Sequence, residues 1–437
     1  MATLVWIGLG VLLLLGVPLF VLFGGGAVAL FMIRPEGAWA SGGIDALGTS
    51  FAESPFLMTI PMFTFAGYVL AESRAPLRLI RLSRAWLGWL PGSLAIVCLT
   101  SSMFFATITG GSGVTIIAVG GLAYPALIRE KYPESFAVGM ITTAGALGAL
   151  FPPSMLLIFY CIVARIPVEK ALLAGIFAGL LTLVVLMAYS AYVGIQARVP
   201  RAPFVLRHAL RELWISKWEV AIPGVLVAPV ASGFLRLQEA SAFVAIYVLV
   251  IEVFVYRDLS IRRDLHRVGV ASMTMLGAVM VILMTAIGFT SWTIQAQVPM
   301  DLFDWMETHV QTAGAFLLAL NVFLVVVGML TDGLAAIILV VPMVAPLAAA
   351  YGIDPYHLAA IFLLNLEIGF VVPPVGMNLF VSSLRFGRSL GYVCRSVVPF
   401  VAALMLVLAL VTCVPWLSTY LPSLIKTRVI ELDFLSD

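Results

Sequence analysis

Of 437 residues, 62% are hydrophobic and 11% charged, against roughly 45–50% and 25% in soluble domains, so the composition excludes a soluble globular protein and predicts an integral membrane one. A net charge of +2 gives no reason to expect nucleic acid as a partner. The four cysteines (Cys98, Cys161, Cys394 and Cys413) lack metal or redox spacing and suggest no disulfide framework.

The first apolar stretch runs through Ile33 with no basic region before it and no small-residue cleavage site, so a removable signal peptide is not expected. A second runs from Pro55 to Ala71. Between Ser73 and Arg84, arginines alternate with leucines at helical spacing, which predicts an amphipathic helix on the cytoplasmic membrane surface, with an ordinary loop as the alternative. From Trp86 to Ile128 the chain is apolar but split by Thr107–Thr115, a run of Thr, Ser and Gly. Basic residues at both outer ends place both in the cytoplasm, so this segment enters and returns. It is either two spanning helices joined by an outside turn or a re-entrant hairpin with its tip at Thr109–Gly113. The polar run favours the hairpin.

The apolar run Phe136–Val163 is broken by Gly148–Ser154 (Gly-Ala-Leu-Phe-Pro-Pro-Ser), and Ala171–Ile195 follows. Five basic residues between 198 and 217 form a second cytoplasmic strip, then come apolar runs at Val220–Phe234 and Ala240–Tyr256 and a linker, Arg257–Arg267, with four arginines. Beyond it the charge pattern inverts. Lysine and arginine are absent from Val268 to Leu384, and the hydrophilic flanks carry Asp301, Asp304, Glu307 and Asp354. Between them Phe316–Ala350 is split by Gly328–Gly333, a second hairpin entering from the non-cytoplasmic side. A second break follows at Gly369–Asn378 (Gly-Phe-Val-Val-Pro-Pro-Val-Gly-Met-Asn).

A double proline inside a membrane segment removes backbone donors and forces irregular backbone, and such backbone survives in hydrocarbon only when buried in protein or facing a wet cavity. A shift of 221 residues carries Pro152, Pro153, Gly148 and Pro125 onto Pro373, Pro374, Gly369 and Pro346, and Gly111 onto Asp332. Matching hairpins and breaks in one register predict an internal repeat, and the opposite charge flanks predict that its halves are inverted across the membrane. The expected fold is an all-α polytopic membrane protein with two re-entrant helical hairpins and two discontinuous helices. It divides into N-terminal scaffold helices with a surface arm (1–85), a first half of the transport domain (86–165), scaffold helices with a second arm (166–310), a second half of the transport domain (311–390), and a C-terminal helix and tail (391–437).

Hairpin tips and broken helices that meet near the midplane offer carbonyls to a cation and half-helix N-termini to an anion, the parts of a sodium-coupled site for an organic anion. Gly110, Gly111, Ser112, Gly148 and Ser154 are the candidate ligands of one sodium site, and Gly328, Asp332, Gly369 and Gly376 those of its symmetric partner; the alternative is that the glycines serve close helix packing. Thr109, Gly113, Pro153, Thr331, Pro374 and Asn378 are the candidate substrate contacts, with helix capping the alternative for Asn378 and Asn365. Thr107, Thr109 and Thr115 can equally bond their own helix carbonyls. Asp332 and Glu367 are the acidic residues deepest in apolar runs, where a charge defaults to a functional hypothesis. Neither break contains a cationic residue, so helix N-termini and amides are expected to recognise a carboxylate.

At these residues the chain resembles the large membrane subunit of tripartite ATP-independent periplasmic (TRAP) transporters, of the ion transporter superfamily. The resemblance covers residues 55 to 420 and rests on Ile60-Pro-Met-Phe, Leu90-Pro-Gly-Ser-Leu, Phe105-Ala-Thr-Ile-Thr-Gly-Gly-Ser-Gly, Leu150-Phe-Pro-Pro-Ser, Pro342-Met-Val-Ala-Pro, Gly352-Ile-Asp-Pro and, most specific, Asn365-Leu-Glu-Ile-Gly-Phe-Val-Val-Pro-Pro-Val-Gly. The first tip departs from the Ser-Gly-Ser-Ser of many members, and Arg236 stands where a threonine is usual. The resemblance implies a multi-pass protein of the bacterial cytoplasmic (inner) membrane. It implies an elevator-type, sodium-driven symporter of organic acids, with sodium as coupling ion and no organic cofactor. It also implies a small membrane subunit on a separate chain and a periplasmic substrate-binding protein as partners, beside membrane lipid. A sodium/proton antiporter or ion channel of related fold is the nearest alternative. A membrane enzyme is disfavoured because no His-Glu-x-x-His, Gly-x-Ser-x-Gly or Gly-x-Gly-Asp signature occurs and all four histidines (His208, His266, His309 and His357) fall in polar flanks.

Overall fold

The structure, a computed structural model, describes residues 8, 12, 19–32, 59–109, 111–152, 154–199, 203–231, 234–295, 310, 312–331, 333–373 and 376–424. Among the described residues every regular element is helical. The first two helices, α1 (Leu19–Met32) and α2 (Thr59–Glu72), are apolar along their length. The Arg/Leu stretch forms a helix, α3 (Ala75–Leu87), begun by Pro76 in its first turn and ended at Gly88. Arg74, Leu77, Arg81 and Arg84 are exposed, a stripe at i, i+3, i+7 and i+10, while Leu79, Leu82 and Ser83 are buried on the other side.

Next come α4 (Ser93–Thr109), α5 (Ser112–Arg129), α6 (Glu134–Ala144), α7 (Met155–Ala164) and the long α8 (Val168–Gln196). An exposed surface helix, α9 (Leu206–Ile215), packs on α3 and leads to α10 (Lys217–Ala231) and α11 (Leu237–Val250), which continues through a π-helical turn at Ile251–Val255. The second half holds α12 (Asp264–Gln295), α13 (Ala313–Leu330), α14 (Gly333–Ala350), α15 (Pro355–Gly369), α16 (Met377–Phe386), α17 (Leu390–Cys413) and α18 (Trp416–Leu424). Asp354 starts α15 by accepting the N–H groups of Tyr356 (2.8 Å) and His357 (3.1 Å), with Pro355 at the first helical position. Five helical stretches among the described residues are long and apolar enough to cross a membrane: α5, α8, Gln238–Val255, α14 and α17.

The repeat is carried by the elements themselves. Shifted by 221 residues, α5 falls on 333–350, the bounds of α14, and α4, α6, α7 and α8 begin within one residue of α13, α15, α16 and α17. The contacts obey the same relation: α7 packs on α14, and α5, the counterpart of α14, packs on α16, the counterpart of α7. Each half thus lays its hairpin's second arm against the other half's helix after the break.

The two hairpins differ. In the first, α4 and α5 lie along each other, and Thr107 and Thr115 at its tip are buried, so the tip ends inside protein rather than at a surface turn. The second is splayed. Its arms α13 and α14 scarcely touch, because α13 lies along α15 while α14 packs on α7 and α12. His357 corrects the placing of all four histidines in polar flanks: it is buried, with Nδ1 2.6 Å from the Ser418 hydroxyl on α18.

Candidate substrate and ion site

The described part of the first break, residues 145–152, is a chain of turns and bends after α6, and it rests directly on the first hairpin. A methyl group on Gly148 would collide with the peptide joining Ala106 to Thr107, and one on Gly145 would meet the Ser112 carbonyl. In the second half a methyl on Gly369 would meet the Gly328–Met329 peptide. Gly328 is the 221-shift counterpart of Thr107, so hairpin and break touch at matching places in both halves. Only glycine admits such backbone-to-backbone approach.

Between the halves lies a cavity of about 360 Å³. Five of the candidate residues, Gly111, Ser112, Gly113, Gly148 and Ser154, line it together, and Leu334, Phe370 and Met377 line it from the second half. Those three are the 221-shift counterparts of Gly113, Ala149 and Leu156, which also line it. The cavity therefore sits where the two halves meet on their pseudo-twofold relation. First-turn residues of four helices border it: α5 with Ser112, Gly113 and Val114, α7 with Met155 and Leu156, α14 with Leu334, and α16 with Met377. Each helix is ten residues or longer. Their N-terminal dipole ends favour an anion, and among the described residues no charged side chain lines the space.

The remaining candidates fall elsewhere. Gly328 and Gly369 face each other at the second crossing, and Gly376 caps α16 against the Phe370 carbonyl. The Thr331 hydroxyl donates to the Val327 carbonyl (2.8 Å) at the end of α13. Thr107 and Thr115 likewise bond the carbonyls of Met103 (2.7 Å) and Gly111 (2.9 Å). Ser154 caps α7 by accepting from the Leu157 N–H at 3.2 Å. Asn378 is buried on the first turn of α16 and donates to the Thr142 carbonyl (3.2 Å), where Thr142 also bonds Ser382 (2.8 Å), tying the two halves together. Asn365 neither caps nor lines the cavity; it donates to Asn321 (2.8 Å) and to the Ile361 carbonyl (2.9 Å). Gly110, Pro153, Asp332 and Pro374 lie outside the described residues, as does the side chain of Thr109.

This geometry has close relatives. A family model described as "Tripartite ATP-independent periplasmic transporter, DctM component" matches residues 6–417. The chain belongs to that family. It is 33% identical over 403 residues to the C4-dicarboxylate TRAP transporter large permease protein DctM of Pseudomonas aeruginosa, covering 91% of this chain and 92% of that one. It is 32% identical over 407 residues to the isethionate TRAP transporter permease protein DctMQ of Oleidesulfovibrio alaskensis, covering 92% of this chain and 63% of that longer one. Its fold is similar to that of the Alcanivorax borkumensis YdaH transporter, with a TM-score of 0.67 at 14% identity over 94% of this chain and 99% of that one. As a DctM-family chain it is a multi-pass membrane transporter component and not an enzyme.

Outside the cavity, Arg78 carries a network that its place in the Arg/Leu pattern concealed. It is buried on α3, pairs with Glu219 of α10, Glu252 of the π turn (2.7 Å) and Asp258, and lies 3.8 Å from the centre of the Tyr256 ring. Tyr256 in turn donates to Glu219 (2.8 Å). α3 is thus tied to α10, to the π turn after α11 and to the linker that follows it. At the C-terminal end of α5, burial pushes the Glu130 carboxyl up from its ordinary range, an effect that Arg84 at 3.5 Å partly offsets.

Proposed function

We propose that this chain is the large membrane component of a sodium-coupled symporter that imports a small organic anion of the carboxylate class. A periplasmic binding protein delivers the anion, and a small membrane subunit on a separate chain completes the complex in the bacterial cytoplasmic membrane. The observation that carries this reading is the ring of four helix N-termini around a cavity lined, among the described residues, by no charged side chain, a setting that favours an anion through backbone dipoles. The hydroxyls of Ser112 and Ser154 and the carbonyls of the tips and breaks are the hard oxygen donors that sodium requires. The two relatives described above are named for C4-dicarboxylate and isethionate, both small organic anions. The inverted halves, meeting at one shared cavity, suit an elevator motion that carries the cavity past the scaffold.

Uptake into proteoliposomes containing this chain, its small subunit and a candidate binding protein tests the proposal, with succinate as probe and an inward sodium gradient present or absent. Sodium-driven uptake that needs the binding protein is expected. Uptake indifferent to sodium refutes the coupling, and full uptake without any binding protein refutes the tripartite arrangement.

A further inference from the structure

Glu367 lies on the last turns of α15, two residues before the Gly369 crossing, and is 1% exposed. Among the described residues neither of its carboxyl oxygens has a hydrogen-bond partner. Its electrostatic neighbours are the backbone N–H groups of Ala149 and Leu150, in the break of the opposite half, and neither closes into a full hydrogen bond. Ala149 and its neighbour Gly148 line the cavity, so the carboxyl stands directly behind the cavity wall. Among the described residues the elements packed on α15 bring no charged side chain to it; the titratable groups on or against that helix include His357, held by Ser418 at the far end, and Tyr160 of α7, tilted against Phe362. The 221-shift counterpart of Glu367 is Ala146, so the carboxyl serves nothing that the fold requires of both halves.

A carboxylate without a cation or full hydrogen bonds is costly in an apolar interior, and such a group survives there neutral or bound to a cation. We propose that Glu367 is a proton-binding site that exchanges its proton with the cavity through the first break. In the arrangement described here the carboxyl holds the proton. When the Ala149–Leu150 segment closes on it, the two amides become hydrogen-bond donors to the carboxylate, the O–H bond breaks, and the proton passes to water in the cavity; retreat of the segment reverses the step. The balance between the two forms is then set by the contact between the halves, which is the contact that a transport cycle must remake.

The test needs no substrate and is therefore independent of the uptake experiment above. Infrared spectra of the full chain with its small subunit in lipid are titrated with acid and base, in the wild type and in Glu367→Gln. The expected result is a protonated-carboxyl band, equivalent to one group per chain, that disappears as pH rises and is present in the wild-type spectrum minus that of the variant. A difference band that never titrates, or no difference between wild type and Glu367→Gln, overturns the proposal. Should Glu367→Gln fail to fold, Glu367→Asp keeps the acid: it must retain the titration with its midpoint displaced, and an unmoved midpoint overturns the proposal equally.

Discussion

The contact between Gly328 and Gly369 makes a sharp demand on the second break. A Cβ placed on Gly369 falls 2.5 Å from the Gly328 carbonyl carbon and 2.8 Å from the Met329 nitrogen. Carbon contacts are comfortable near 3.5 Å or beyond, so Gly369→Ala must part the two helices by roughly 1 Å. Overpacking of this kind costs about 1–3 kcal/mol. Gly314, in α13, has nothing within 4 Å of its Cβ position, so Gly314→Ala gains up to about 1 kcal/mol from helix propensity alone. The two variants, identical in chemistry, should therefore differ by about 1–4 kcal/mol, displaced in opposite directions from the parent. Thermal unfolding of the purified chain in lipid nanodiscs reads the difference directly, and Gly148→Ala should behave as Gly369→Ala does. If Gly369→Ala and Gly148→Ala melt at or above Gly314→Ala, the backbone crossings are not the close contacts described and the reasoning fails.

Arg78 is the cation shared by Glu219, Glu252 and Asp258, so Arg78→Ala should cost about 3–5 kcal/mol by leaving buried carboxylates unpaired, again read by thermal unfolding. Asn378→Ala removes the donor to the Thr142 carbonyl and should cost about 1–3 kcal/mol, with Ser382→Ala a milder loss at the same tie. Glu130 holds its proton to higher pH in the folded chain than in the unfolded one, so the folded state binds more protons and stability falls as pH rises through that range. Glu130→Gln should therefore raise the melting temperature at pH 7 and leave it unchanged at pH 4. Phe370→Ala removes the bulkiest second-half residue lining the cavity; uptake of a sialic-acid-sized anion relative to succinate should rise about tenfold, the scale of a pocket enlarged by a few carbons.

The backbone plan was legible in the sequence because it is written in glycine and proline, which act locally. The breaks, the first tip and the 221-residue register appear where those residues place them, and α3 appears where the Arg/Leu spacing places it. What stayed hidden depends on contacts distant in sequence. Arg78 occupies one position of a regular Arg/Leu pattern, and its acidic partners stand 141, 174 and 180 residues away. His357 follows Asp354 and Pro355 and so looks like a polar flank, yet it bonds Ser418, 61 residues on. The splaying of α13 from α14 had no signal because both helices are apolar on every side, and which neighbour each chooses is settled only by the assembled halves. In the site, the first-half glycines and serines announced themselves as polar residues in an apolar run. Leu334, Phe370 and Met377 did not, since an apolar residue in an apolar run is ordinary.

Those three residues also explain why a symmetric backbone encloses an asymmetric space. Where the first half presents Gly113, Ala149 and Leu156, the second presents Leu334, Phe370 and Met377. At the first two pairs the second-half residue is much the larger, and the Phe370 ring reaches across to Gly333, where the first half has Ser112. The second half's side of the cavity is filled by its own side chains, which leaves the open volume against the tip and break of the first. The same divergence puts Glu367 opposite Ala146 and Asp332 opposite Gly111, so acidic residues occur in the half whose cavity wall is filled and small ones in the half whose wall is open. A duplicated backbone fixes where the four helix N-termini meet. The side chains that diverged on it divide the shared centre into an open first-half face of glycine, alanine and serine and a packed second-half face of leucine, phenylalanine and methionine.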